Sequence, residues 1–136
     1  MHAYPPITPY LAVADADAAI RFAVAAFGAE LATRVPRPDG GVMHAELRLN
    51  DGLVMLADGA PEHGFAAPEG PVPVGLMVRW PSPQAVDEVF ARALAAGGRP
   101  ETEPRDEPWG ARFAGVIDPS GHRWWLYAMR DGVPGA

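Results

Sequence analysis

The chain has no cysteine among its 136 residues. That removes a disulfide framework, a thiolate metal site and a cysteine nucleophile together. Long apolar runs are also missing, and none approaches the roughly 20 residues that cross a bilayer as a helix. The N-terminal Met1-His2-Ala3-Tyr4-Pro5-Pro6 has no basic region followed by an apolar stretch, so no signal peptide is expected. Positive charge is scarce: 11 Lys and Arg stand against 17 Asp and Glu, for a net charge of −6. No basic stripe compensates, which argues against nucleic acid as a partner. No nucleophile elbow, phosphate-cradling glycine loop or His-Glu-x-x-His helix occurs. The expectation is a soluble, cytoplasmic protein of one domain, with no membrane and no nucleic-acid partner.

What is present is concentrated near the C-terminus. Three of the four tryptophans lie in Glu107-Pro108-Trp109-Gly110-Ala111-Arg112-Phe113 and Asp118-Pro119-Ser120-Gly121-His122-Arg123-Trp124-Trp125. Asp-Pro-Ser-Gly is a proline-preset turn with a glycine exit, so the two segments read as a hairpin. Indoles lose little entropy on ordering and offer wide faces, which suits either a core or a flat aromatic ligand.

The chain also repeats an order of elements. Ile7 to Val13 reads as a strand, Asp15 or Asp17 as a helix cap, and Ile20, Ala23, Val24 and Phe27 follow at helical spacing up to Gly28. Strands are predicted over Glu30 to Val35, Val42 to Leu49 and Leu53 to Ala57, with Asn50-Asp51-Gly52 a hairpin turn. The second half has a strand over Val74 to Arg79 and a Ser82-Pro83 cap. A helix with Val86, Val89, Phe90, Ala93 and Leu94 then runs to Gly97-Gly98. Its strands fall near Pro100 to Glu103, Arg112 to Ile117 and Arg123 to Ala128. Each half is βαβββ: an α+β chain of two tandem modules, about 5–58 and 72–130, joined by a linker of about 59–71. A curved mixed sheet with helices outside is the expected architecture.

These duplicated modules, with Phe27-Gly28-Ala29-Glu30 ending the first helix and the Asp118-to-His122 turn, resemble the vicinal oxygen chelate superfamily. That superfamily takes in glyoxalase, bleomycin-resistance and dioxygenase proteins. Pro108-Trp109-Gly110-Ala111-Arg112-Phe113 is similar to the bleomycin-resistance branch. His44-Ala45-Glu46-Leu47, Val54 to Asp58 and Gly121-His122-Arg123-Trp124 are similar to the PhnB-like branch. The resemblance covers about residues 5 to 130 and implies a homodimer, with or without strand exchange, around a small-molecule groove.

Metal-dependent members of that superfamily hold one divalent ion with His or Glu from four strands. The resemblance carries those positions to Thr8, Met55, Pro73 and Trp125, none a usual hard-metal ligand. No metal and no cofactor is therefore expected. Alternation along the third strand sets His44, Glu46 and Arg48 on one face, against Met43, Ala45, Leu47 and Leu49. His44 and Glu46 are the candidate acid–base pair, and internal charge pairing is the plainer reading of the same face. Arg123, Trp125 and Tyr127 share a face expected to line the cavity, with Trp124 in the core. Trp109 is placed at the groove mouth, and Phe113 either there or in the core. Arg112 is placed where it reaches Glu46 or an anionic group, and Phe65 as a lid from the linker. Met55 completes the candidate ligand-binding set. His63 and His122 read as surface residues, and His2 as a terminal residue without a role.

The expected function is metal-free binding of an aromatic or heterocyclic small molecule, for instance sequestration of an antibiotic. The alternative is a glyoxalase- or dioxygenase-like enzyme using a non-standard metal site or the His44/Glu46 pair.

Overall fold

The computed structural model describes residues 4–131. His2 lies outside them. The elements of the first module are β1 (Tyr10–Val13), α1 (Ala16–Phe27), β2 (Glu30–Pro36), β3 (Val42–Leu49) and β4 (Gly52–Asp58). A 3₁₀ turn at Pro61–His63 sits in the linker. The second module follows as β5 (Gly75–Arg79), α2 (Pro83–Ala95), β6 (Arg99–Asp106), β7 (Ala111–Ile117) and β8 (Arg123–Met129). The expected duplicated βαβββ order is observed. It forms two four-stranded sheets, ordered β1-β4-β3-β2 and β5-β8-β7-β6. In each, the module's first strand pairs in parallel with its last and the remaining ladders are antiparallel.

Local chemistry accounts for the element ends. The Asp15 carboxylate accepts from the Ala18 N–H and Ser82 Oγ accepts from the Ala85 N–H. Each caps a helix start and contributes about 1 kcal/mol. Gly28 closes α1 in the left-handed region at φ 69°. Asn50 and Asp51 both take positive φ, 47° and 66°, the turn geometry that matches strand twist. Asp58 fastens the module: its two oxygens accept from the backbone N–H of Ala16 and of Val42, each at 2.7 Å. The carboxylate thus ties the end of β4 to the starts of α1 and β3.

One face of each sheet is buried beneath its helix. Ala45, Leu47, Val54 and Leu56 fill that face in the first module, and Ala114, Val116, Trp124 and Leu126 in the second. The helices pack on one another, and Phe27 crosses between modules to lie 4.7 Å from the Trp124 ring centroid. Burying each of these large side chains removes apolar area worth roughly 1.5–3 kcal/mol. Two reciprocal hydrogen bonds also join the modules. Asn50 Nδ2, in the β3–β4 turn, donates to the Arg79 carbonyl at 2.7 Å. His122, in the β7–β8 turn, places Nε2 2.9 Å from the Ala12 carbonyl, which makes it a clasp between modules and not the surface residue expected.

Other differences from the sequence reading have clear causes. β1 begins at Tyr10, since Pro9 has no N–H to give a ladder. β6 runs on to Asp106 despite Pro100 and Pro104, as an edge strand with two register shifts. Met43 is not on the helix face. Val35 pairs with His44 while Pro36 pairs with Val42, so Met43 is the extra residue of a β-bulge. Val42 and Ala45 are both fully buried, and Met43 emerges half exposed. Arg112 is also placed differently. Its backbone partner is buried Ala128, and its guanidinium forks onto Asp87 of α2 at 3.0 and 3.2 Å, with Asp106 at 3.3 Å. It stands on the helix side, away from Glu46.

Candidate functional site

The sheet faces turned away from the helices carry two distinct constellations. In the second module the cross-strand register sets Phe113 opposite Tyr127, Gly115 opposite Trp125 and Met77 opposite Trp125 on the other side. Trp125 lies flat, and glycine is what permits it. A Cβ on Gly75 would fall 2.4 Å from its Nε1, and one on Gly115 would fall 2.5 Å from its Cζ3. Phe113 stacks on the indole at 5.3 Å between centroids, so it belongs to this face and not to the core. Trp109, half exposed, meets Phe113 edge-on at 5.9 Å and Tyr127 at 6.2 Å. The Arg123 guanidinium lies 5.6 Å above the Trp125 ring. Arg123 is held there by an ion pair with Glu101 and by donating to the Val72 carbonyl at 3.1 Å. Trp124, by contrast, is buried, with Nε1 donating to Asp118 Oδ2 at 2.9 Å.

In the first module, β1, β3 and β4 bring Tyr10, Met55, His44 and Glu46 to one face. Tyr10 Oη lies 2.7 Å from His44 Nδ1, and His44 Nε2 lies 2.8 Å from Glu46 Oε2. The Tyr4 hydroxyl completes the chain, donating to both Glu46 oxygens at 3.2 and 3.0 Å. The hydrogen bond from His44 holds the Glu46 carboxyl below its ordinary range, burial opposes this, and Tyr4 adds to the lowering. Tyr10 is pushed up, first by burial and then by the Glu46 charge, so its phenol stays neutral.

Beside this chain lies a cavity of about 890 Å³, floored by Tyr10, Met43 and Ala57 and walled by Arg37–Asp39 and by the linker. Phe65 is set there by a short bridge with Ala60, and its ring meets Tyr10 edge-on at 5.3 Å. His63 also lines this cavity. Two lining charges are already committed. Asp58 is occupied by the two backbone N–H groups described above, and Arg37 donates to the Asp58 and Gly59 carbonyls. The cavity was not legible in the sequence: Tyr10 joins His44 across 34 residues, and the Met43 bulge reverses the parity of β3.

The positions that the resemblance assigned to metal ligands do not fit a hard divalent ion. Thr8 and Pro73 precede β1 and β5, and the residues paired with Met55 and Trp125 are Tyr10 and Met77. Thioethers, an indole and a phenol are poor partners for such an ion. Among the described residues no group of three or more His, Asp or Glu is arranged to hold one.

A βαβββ duplication whose open faces carry these side chains defines a class. The chain belongs to the Glyoxalase/Bleomycin resistance protein/Dioxygenase superfamily, whose family model matches residues 5–126. It is 41% identical over 124 residues to the uncharacterized protein Mb0911c of Mycobacterium bovis, covering 90% of this chain and 82% of that one. Among solved structures, TioX from Micromonospora sp. ML1 is 32% identical with a TM-score of 0.69, covering 94% of this chain and 99% of its own. A PhnB protein from Bacillus cereus is 25% identical with a TM-score of 0.72, covering 91% and 99%. No helix among the described residues is long and apolar enough to cross a membrane.

Proposed function

We propose that this protein is a metal-free binder of a planar aromatic or heterocyclic small molecule, acting by sequestration, as an antibiotic-binding member of its superfamily would. One observation carries the reading. Trp125 lies flat on two glycines beneath Phe113 and Arg123, and with Trp109 and Tyr127 alongside it builds an aromatic cluster where a coordinating side chain would otherwise project. Sequestration needs affinity and no chemistry, so a ligand set unsuited to a metal is no handicap. A flat ring that joins this cluster beside half-exposed Trp109 gains about 0.5–1.5 kcal/mol beyond its area burial. Arg123 beside it would select against cationic rings and favour neutral or electron-rich ones.

The reading takes the chain as one domain working as a cytoplasmic homodimer. Exposed apolar side chains such as Ile7, Val74 and Met77, at or near the outer strands β1 and β5, are surface that a second copy would cover. Size-exclusion with light scattering tests the dimer.

The binding test is a titration of intrinsic tryptophan fluorescence with bleomycin and a panel of heteroaromatic compounds. Saturable quenching that is lost in Trp125→Leu is expected. Silence across the panel defeats the proposal, and so does a tightly bound stoichiometric transition metal found by elemental analysis of the purified protein.

A further inference from the structure

We infer that the first-module cavity is a second small-molecule site, which takes an aromatic compound through an acidic hydroxyl group that donates to Tyr10 Oη. This goes beyond the stacking face of the second module and rests on different residues. Hydrogen-bond supply around Tyr10 decides what the cavity takes. Glu46 is a carboxylate and can only accept, so in the neutral imidazole the proton sits on His44 Nε2, facing it. Nδ1 is then an acceptor, and the hydrogen of Tyr10 is used up on it. What Tyr10 has left for the cavity is a lone pair. Asp39 and Glu62, which also line it, are acceptors as well, Asp39 with one oxygen already taken by the Gly41 N–H. Arg37 spends Nη2 on backbone carbonyls and keeps Nε, Nη1 and its positive charge, which suits a ligand that gives up a proton. The open lone pair of Tyr10 asks for a donor on its ligand, and Phe65, Met43 and the Tyr10 ring ask for an aromatic body.

The chain of three also takes up the proton. As the ligand O–H bond breaks, that proton forms a bond to Tyr10 Oη. The original Tyr10 proton moves to His44 Nδ1, and the electron pair remains on the ligand oxygen. The ligand becomes an aryloxide, His44 an imidazolium held by Glu46, and Tyr10 is a neutral phenol before and after. No oxidant or reductant enters. The raised Tyr10 pKa agrees, since Tyr10 passes protons without itself ionising.

The test is an absorbance titration with 4-nitrophenol, whose anion absorbs to the red of its neutral form, beside 4-nitroanisole, which has no hydroxyl hydrogen. Saturable binding with a red-shifted band is expected, with 4-nitroanisole about tenfold weaker, the worth of one hydrogen bond. Tyr10→Phe should bring the two probes level. In His44→Gln, which keeps a polar partner but accepts no proton, binding should hold within about threefold while the red shift disappears. Absence of saturable binding by the wild type overturns the inference, as do equal binding of the two probes, an unshifted band, or full retention in Tyr10→Phe. The two sites are read separately, because the stacking face reports through the fluorescence change lost in Trp125→Leu.

Discussion

Substituting Gly115 with alanine puts a methyl group beneath the indole of Trp125. The added Cβ would sit 2.5 Å from Cζ3 and 2.7 Å from Cε3, against an ordinary carbon–carbon contact of about 3.5–4.0 Å. The ring must rise by about 1 Å to escape, giving up part of its stack on Phe113 and its place under Arg123. Overpacking of this kind costs 1–3 kcal/mol, so about 2 kcal/mol is expected in the wild-type background. Gly115 is in the middle of β7 without a positive φ, so alanine itself suits the backbone and gains about 0.5 kcal/mol. The sign should therefore reverse in a Trp125→Leu background, where no ring is overhead. Denaturant unfolding of the four proteins in this cycle gives a coupling of about 2.5 kcal/mol if Trp125 lies flat on its glycines. Equal costs in the two backgrounds would refute that geometry. Near-ultraviolet circular dichroism of the single mutant follows the displaced indole independently.

Asp118→Ala should destabilise by about 3 kcal/mol in denaturant unfolding. It strips the buried Trp124 N–H of its acceptor and the Ser120 and His122 N–H groups of theirs. The Glu46 carboxyl is lowered in the folded state, so its contribution is full above the unfolded value and is lost as pH falls through the folded one. Stability curves should thus show an acid-side loss that is shallower in Glu46→Gln. Asn50→Ala should cost about 1–2 kcal/mol, through a strained positive φ and the lost bond to Arg79, while Asn50→Gly recovers the strain alone. Thermal or denaturant unfolding of the pair separates the two parts.

The repeat could be read in the sequence because local signals agreed with the fold. The caps at Asp15 and Ser82, the Gly28 exit and the Asn50-Asp51 turn all act within a few residues of their own position. Trp124 and Trp125 were separable by strand alternation, since β8 has no bulge. The first-module cavity depended on events that alternation cannot carry. One extra residue at Met43 turned a presumed core side chain outward, and Tyr4 and Tyr10 reached Glu46 and His44 only through the fold. Arg112 does not reach Glu46 as expected, because its partner Asp87 comes from a helix whose docking angle no strand pattern contains.

The reciprocal clasp between modules has a consequence for how such a protein can diversify. Each of the two tight turns holds the end of the other module's outer strand, Asn50 on Arg79 and His122 on Ala12. Lengthening either turn would pry the halves apart, so both are closed to insertion. The Arg37–Gly41 loop and the linker between Gly59 and Pro71 carry no such duty, and both border the cavity. New ligand preferences can accumulate there, residue by residue, while the frame that presents them stays fixed.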